Sequence, residues 1–252
     1  MSVRQYDHSF YQAQTRQSGT SAPAVVPIVN RLAAPRSVLD IGCGIGAWLA
    51  EWERQGITDI HGLDGDYVNR AQLLIHPDKF TPANLEQPVM LGRQYDLAQC
   101  LEVAEHLAEG SADIVVRTLT SHADTILFSA AIPGQRGTGH VNEQWPGYWV
   151  SKFAAVGYQV YDAIRPLIWD DSRVQVWYRQ NMLLFARTRT FPVPAAPLNI
   201  VHPELWRKRQ ELSFTQAMRR LPAAAGDAAR KRLPQVALPA QRIRPGQGAD
   251  AP

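Results

Sequence analysis

The sequence predicts an α/β protein built on a doubly wound, mostly parallel sheet. Three observations carry that expectation. Short apolar runs alternate with helical patterns from residue 37 to about 190. The first run ends in a glycine-rich turn, Gly42-Cys43-Gly44-Ile45-Gly46, and the second ends on an acid, Asp64. Strands buried on both faces and separated by helices are the pattern of a parallel sheet covered on both sides. The chain of 252 residues is long enough for one such domain.

The elements follow in order. Residues 1–34 read as one or two short helices ahead of the core. Ser37 to Gly42 is the first strand, preceded by Pro35. Ala47 to Arg54 reads as a helix closed by Gly56. Asp59 to Asp64 is the second strand, and Asp66 to Ile75 reads as a second helix stopped before Pro77. Lys79 to Leu91 is loop-like. Tyr95 to Leu101 is a strand, and Ser111 is placed to cap a helix over Ala112 to Leu119. Asp124 to Ala130 is a further strand, followed by a glycine-rich loop from Pro133 to Gly139. Tyr148 to Ala155 is a helix stopped by Gly157. Tyr158 to Ile164 and Met182 to Thr188 form a closing pair of strands. Pro192, Pro194 and Pro197 put the domain boundary near residue 190. A helix over Pro203 to Leu221 follows, with little order expected beyond it. The chain thus divides into a helical lid segment (1–34), a core domain (35–190) and a Pro/Ala/Arg-rich extension (191–252).

The net charge of +3 conceals an asymmetry. Residues 202–252 hold ten Lys/Arg against four acids, a net +6, leaving −3 on residues 1–201. A basic tail can touch nucleic acid or an anionic surface, or simply be a solvated extension. The two cysteines, Cys43 and Cys100, cannot make a disulfide framework and fit a reducing compartment. No apolar run reaches membrane-spanning length, and no secretory signal is read at the N-terminus, so a cytoplasmic protein is expected.

The glycine turn is the main chemical signal. Gly42, Gly44 and Gly46 let a ligand approach the backbone where a Cβ would collide, and Asp64 can accept both hydroxyls of a ribose. Gly42, Gly44 and Ala47 also fit the dinucleotide pattern Gly-x-Gly-x-x-Ala. Asp40 separates the two ligand classes. An acid just before the glycines would repel a pyrophosphate, whereas it suits a cationic head group.

At this point the sequence resembles a known family. Val38-Leu39-Asp40-Ile41-Gly42-Cys43-Gly44-Ile45-Gly46 looks like motif I of the class I S-adenosylmethionine-dependent methyltransferases. Asp64 matches their ribose-binding acid, Asn84-Leu85 their adenine-side loop after the third strand, and Glu102-Val103-Ala104-Glu105-His106-Leu107 their "E-V-x-E-H-L" segment. The last is typical of ubiquinone-biosynthesis-type and related small-molecule methyltransferases. The loop Gly137-Thr138-Gly139-His140-Val141-Asn142-Glu143-Gln144 is similar to a segment of the broad "methyltransferase domain 23" group. The resemblance spans about residues 36–190. It implies a Rossmann-like, seven-stranded sheet with one closing antiparallel strand, and S-adenosyl-L-methionine as cofactor. It assigns cofactor binding to Asp40, Gly42, Gly44, Gly46, Asp64, Asn84, Leu85 and Glu102.

Methyl transfer to a hydroxyl needs alignment of the nucleophile and a group to take its proton. His140 is the candidate base, because it follows Gly134, Gly137 and Gly139 at the ligand-binding edge, with Asn142 and Glu143 able to orient it. The alternative is a loop histidine that caps backbone. His106 and Glu102 are read as cofactor-pocket groups, and Glu105 as an acid at a helix N-terminus. Trp145, Tyr148 and Trp149 can stack on a ring or belong to the core, Trp149 being assigned to the core. Tyr11, Ser18 and Ser21 belong to the lid or to ordinary surface. No metal is expected, since no His-x-x-x-His or clustered Asp-x-Asp spacing occurs.

The expected acceptor is therefore a small molecule or glycan, at oxygen. The alternative is a macromolecule, RNA or protein, engaged by the basic tail. Against nucleic acid, Gln99-Cys100-Leu101-Glu102 lacks the Pro-Pro-aromatic and Pro-Cys motifs of nucleic-acid methyltransferases. A nicotinamide-dependent reductase is disfavoured by Asp40, and a binding-only role by the intact glycine turn.

Overall fold

The computed structural model describes residues 8–191 and 199–209, with side chains from residue 19 onward. Thirteen α-helices and strands organise residues 8–191. They are α1 (His8–Ala33), β1 (Ser37–Ile41), α2 (Ala47–Arg54), β2 (Asp59–Asp64), β3 (Phe80–Pro82), β4 (Leu97–Leu101) and α3 (Ala112–Thr120). Then come β5 (Thr125–Ser129), α4 (Pro146–Ala155), β6 (Gln159–Tyr161), α5 (Arg165–Ile168), α6 (Val176–Asn181) and β7 (Leu183–Ala186).

The seven strands form one sheet in the order β3-β2-β1-β4-β5-β7-β6. β7 runs antiparallel to β5 and β6, and the remaining pairs are parallel. The predicted fold class is the observed one, a Rossmann-like doubly wound sheet. Side chains alternate across it, as a pleated strand requires. Val38, Leu97, Leu127 and Leu184 enter a core shared with α1, α2 and α6. Leu39, Ala98, Ile126, Phe128 and Phe185 enter the opposite core, closed by α3 and α4. Strand order reverses between β1 and β4, so the carboxyl ends of those strands open the crevice where ligands of such sheets sit.

Four local expectations are corrected. The N-terminal segment is a single helix, α1, despite Pro23 and Pro27. Its buried Ala22, Val25, Val26 and Val29 recur at helical spacing and pack into the α2-side core, which offsets the missing backbone donors. Residues 66–75 hold no α-helix, only a 3-10 turn at Arg70–Gln72. The Asn69 side chain accepts from the Ala71 N–H, and Leu74 N–H donates instead to the Ile45 carbonyl. Ser111 precedes α3 but its side chain makes no cap, because a 3-10 turn at Glu109–Ser111 already holds it in helical conformation. Residues 79–91 are not wholly loop, since Phe80–Pro82 pairs with β2 as the edge strand.

Residues 165–181, for which the sequence suggested no element, carry α5 and α6. A buried pair, Asp162 with Arg165 at 2.6 Å, ties the end of β6 to α5. Arg165 Nη1 also donates to the Gln180 carbonyl in α6. Residues 203–209 are helical, Leu205 packs with Ile132 and Val176, and the His202 N–H donates to Gln180 Oε1 at 2.5 Å. The part of the expected helix beyond residue 209, and the tail after it, lie outside the described residues. No helix among the described residues is long and apolar enough to cross a membrane.

Candidate functional site: the carboxyl edge of β1, β2, β4 and β5

The turn from β1 into α2 is held by backbone geometry. Gly42, Gly44 and Gly46 all have positive φ, at 85°, 54° and 85°. At Gly42 the need is steric as well, since a Cβ would come within 2.4 Å of Val103. Asp64, at the end of β2, closes on this turn. Its Oδ2 accepts the Gly44 N–H at 2.7 Å. Its Oδ1 accepts the Gly65 N–H and the Tyr67 hydroxyl, both at 2.7 Å. Burial pushes the Asp64 carboxyl up, against these three donors. Tyr67 was not singled out by sequence, although its place three residues after the strand-end acid is the one available signal.

Asp40 lies beneath the turn, 2 % exposed, with Oδ2 lacking any partner. Burial pushes it up to about 7, with the neighbouring Asp64 charge adding to the effect and Gln99 opposing it. An orphaned buried carboxylate under a glycine turn fits a cationic ligand head group and not a pyrophosphate. Asn84 is exposed after β3, and its side chain accepts the Glu86 N–H at 3.0 Å. Leu85 is buried in the α3-side core. Cys43 and Cys100 are buried and free, and burial raises both thiols well above the ordinary range. Neither is poised as a nucleophile.

The second half of the site lies after β4 and β5. Glu102 sits at a left-handed φ of 56° just beyond β4. Its carboxylate accepts from Gln135 Nε2 at 2.9 Å and from Asn181 Nδ2 at 3.0 Å. Asn181 closes the triangle by donating to Gln135 Oε1 at 2.9 Å. Gln135 and Asn181 carried no sequence signal, since their meeting depends on α6. Glu105 does not start a helix. Ala104–His106 is one 3-10 turn, and it turns the Glu105 side chain inward, 0 % exposed, with neither carboxylate oxygen partnered. Burial and the nearby Glu102 charge raise it well above the usual carboxylate range.

His140 arrives from the loop after β5. The Glu105 carbonyl accepts the Val141 and Asn142 N–H groups, locking this loop against the β4 turn. Glu143 organises it from within. Its carboxylate accepts the Gly134 and Arg136 N–H groups at 2.6 and 2.5 Å and faces His140 Nδ1 at 2.9 Å. His140 Nε2 is left facing Glu105 Oε1 at 4.0 Å. The ring passes so close to Gly137 that a Cβ there would meet Nε2 at 2.1 Å. His106 stands edge-on to His140, centroids 4.9 Å apart, and burial lowers its pKa to about 4. Glu105, His106 and His140 each place a donor atom within 4.8 Å of the others. The sequence showed no ligand spacing because the three donors come from two loops, 35 residues apart at their extremes. Of the aromatic residues nearby, Trp149 is core, packed on Phe128 at 5.0 Å, whereas Trp145 is 39 % exposed. Ser21 is buried and accepts the Gln175 N–H at 3.0 Å, so it anchors α1. The side chains of Tyr11 and Ser18 lie outside the described residues.

Comparisons with known proteins agree with this geometry. Residues 13–129 match the family model described as a methyltransferase domain. No curated protein matches the sequence. Among solved structures, human N-acetylserotonin methyltransferase, in complex with S-adenosylmethionine, is 16 % identical with a TM-score of 0.50. That likeness covers 72 % of this chain and 55 % of the other. An O-methyltransferase family protein from Burkholderia thailandensis is 16 % identical with a TM-score of 0.55, covering 73 % and 61 %. The sugar N-methyltransferase KedS8 from Streptoalloteichus sp ATCC 53650 is 17 % identical with a TM-score of 0.54, covering 71 % and 92 %. The chain spans little more than half the length of the first two. At these identities the structures speak for the fold. Over residues 13–129 the chain resembles a methyltransferase domain, and the unpartnered Asp40 oxygen and the glycine turn closed by Asp64 fit S-adenosylmethionine as the cofactor of that domain.

Proposed function

We propose that the chain methylates a hydroxyl of a small-molecule or glycan acceptor, bound between the β1 turn and the loop after β5. S-adenosylmethionine, when bound, supplies an electrophilic methyl group on a sulfonium. Asp40, Gly42, Gly44, Gly46 and Asp64 are the residues proposed to hold it, with Asp64 exchanging its backbone donors for the ribose hydroxyls. Asn84 is proposed for the adenine side, its exposed position leaving it free to turn, with Leu85 as the apolar wall beneath. Glu102 is proposed to border both ligands, fixed by Gln135 and Asn181.

The observation that carries the acceptor side is the state of His140. Glu143 faces Nδ1 and fixes the tautomer with its proton there, which leaves the Nε2 lone pair available. That is the arrangement a hydroxyl needs as it loses its proton. Both O- and N-methyltransferases occur among the structural neighbours, so oxygen selectivity rests on His140 rather than on likeness. The test is turnover against a panel of hydroxylated, amine-bearing, RNA and protein acceptors, with the methylated atom located by NMR or mass spectrometry. O-methylation of a small polyhydroxylated compound is expected. Methylation confined to nitrogen would overturn the hydroxyl assignment, and methylation confined to RNA or protein would overturn the acceptor class.

A further inference from the structure

We infer that Glu105, His106 and His140 form a site for one divalent transition-metal cation at the acceptor side of the cleft. Nitrogen and oxygen ligands stand about 2.0–2.2 Å from such an ion, and so about 3–4 Å from one another. His140 Nε2 and Glu105 Oε1 are already 4.0 Å apart, and the full set of three donor atoms lies within 4.8 Å. A small rotation of these side chains closes the shell.

The stronger reason is what the donors lack. Glu105 is 0 % exposed and neither of its oxygens has a hydrogen-bond partner. A buried carboxylate with no partner either holds a proton or coordinates a metal, and the two imidazoles beside Glu105 favour the second. Its neighbour Glu102 spends its carboxylate on Gln135 and Asn181, and the only ion-pair partner of Glu105 among the described residues is His140, at 4.0 Å. Both imidazoles likewise keep one nitrogen without a hydrogen bond. Glu143 faces His140 Nδ1 and leaves Nε2 toward Glu105. The His106 ring lies beside the Gly139 backbone, and its Nδ1 is buried without a partner. A carboxylate on the far nitrogen of a ligating histidine is the usual way a protein orients such a ring and raises its basicity. Glu143 occupies that position, and is itself fixed by two backbone N–H groups.

The donor set names the class of ion. Two imidazoles and one carboxylate suit zinc, manganese, iron or cobalt, whereas calcium and magnesium favour all-oxygen shells. Three protein ligands leave positions open for an exogenous oxygen. Resting on the proposed acceptor site, an acceptor hydroxyl in one of those positions would be acidified as bound water is and release its proton to solvent, the ion then taking over the role that the free His140 Nε2 has in its absence. The ion itself can be sought without turnover.

The test uses tag-free full-length protein, freed of metal by a chelator and titrated with Co²⁺. Visible d–d absorption is followed, with calorimetry for Zn²⁺. One ion per chain is expected, with absorption stronger than that of the aqueous ion. Glu105→Gln and His140→Ala should each weaken binding by more than about 10²-fold, and Glu143→Gln by about 10–100-fold. Asp64→Ala should leave cobalt binding unchanged. S-adenosylhomocysteine binding and circular dichroism report whether each variant is folded. Should Glu105→Gln fail to fold, His106→Gln and His140→Ala carry the test. A wild-type spectrum equal to that of the aqueous ion would overturn the inference, as would tight binding that persists in folded Glu105 and His140 variants. Loss of S-adenosylhomocysteine binding by the wild type, with the cobalt site intact, would instead sink the methyltransferase reading.

Discussion

At the carboxyl edge of the sheet, the β1 turn and the β4–β5 loops hold their polar groups by different means. The turn is local: Gly44 and Asp64, which bond across it, are 20 residues apart and stand at the carboxyl ends of consecutive strands. The proposed acceptor side is assembled from a distance, with Glu102 bonded to Asn181 across 79 residues. On the turn side, backbone N–H groups and one strand-end carboxylate suffice. On the other side, three loops must dock before Glu102, Glu105, His106 and His140 meet. A local motif survives much sequence change because few contacts define it. An assembled one lets the acceptor and its chemistry vary while the cofactor end stays constant.

The comparison breaks most visibly at His140. His140→Ala should lower kcat by about 10²–10⁴-fold, the usual contribution of a positioned proton-transfer group. S-adenosylhomocysteine affinity should hardly change. Steady-state kinetics paired with calorimetry separates the two, and a variant that loses cofactor binding would move His140 to the cofactor half.

Asp64 is the converse probe. Hydrogen bonds to a charged group contribute roughly 1.5–3 kcal/mol each, so Asp64→Ala should weaken S-adenosylhomocysteine by about 10²-fold. The same carboxylate also holds Gly44, Gly65 and Tyr67. Asp64→Asn therefore belongs beside it, to separate lost ribose contacts from a loosened turn. Equal affinity in both variants and the wild type would remove Asp64 from the site.

Asp40 gives a pH-dependent signature. Its carboxyl is displaced from 3.8 to about 7 by burial. Between those values the folded chain keeps a proton that the unfolded chain has released, so this group's contribution to stability falls as pH rises from about 4 to 7. Asp40→Asn removes the titration. Thermal melts should show the variant more stable than the wild type above pH 7 and the difference vanishing toward pH 4. The displacement corresponds to roughly 4 kcal/mol at most. A constant offset at all pH values would show that Asp40 ionises freely. The smallest expected effect is at the α1 anchor, where Ser21→Ala should cost about 1 kcal/mol in chemical denaturation and leave kcat intact. A large loss of kcat there would show that α1 shapes the acceptor pocket.

The same contrast explains what the sequence disclosed. β1, α2 and β2 were legible nearly to the residue, because buried parallel strands, positive-φ glycines and a strand-end acid each leave a local mark. Residues 66–75 misled because the Asn69 turn and a backbone bond to Ile45 stand where the stretch before Pro77 read as a helix. α5 and α6 are four and six residues long, too short to show a period. His140 was visible through its glycines. The inward turn of Glu105 and its approach to His106 and His140 were not, since no spacing along one element encodes a meeting of two loops.

The central claim is that the glycine turn and Asp64 take S-adenosylmethionine rather than a dinucleotide. The most direct measurement is calorimetric titration of the wild-type chain with S-adenosylhomocysteine and, separately, with NAD⁺. The account predicts saturable binding of one S-adenosylhomocysteine per chain and no heat of binding with NAD⁺. Tight NAD⁺ binding with no response to S-adenosylhomocysteine would contradict it.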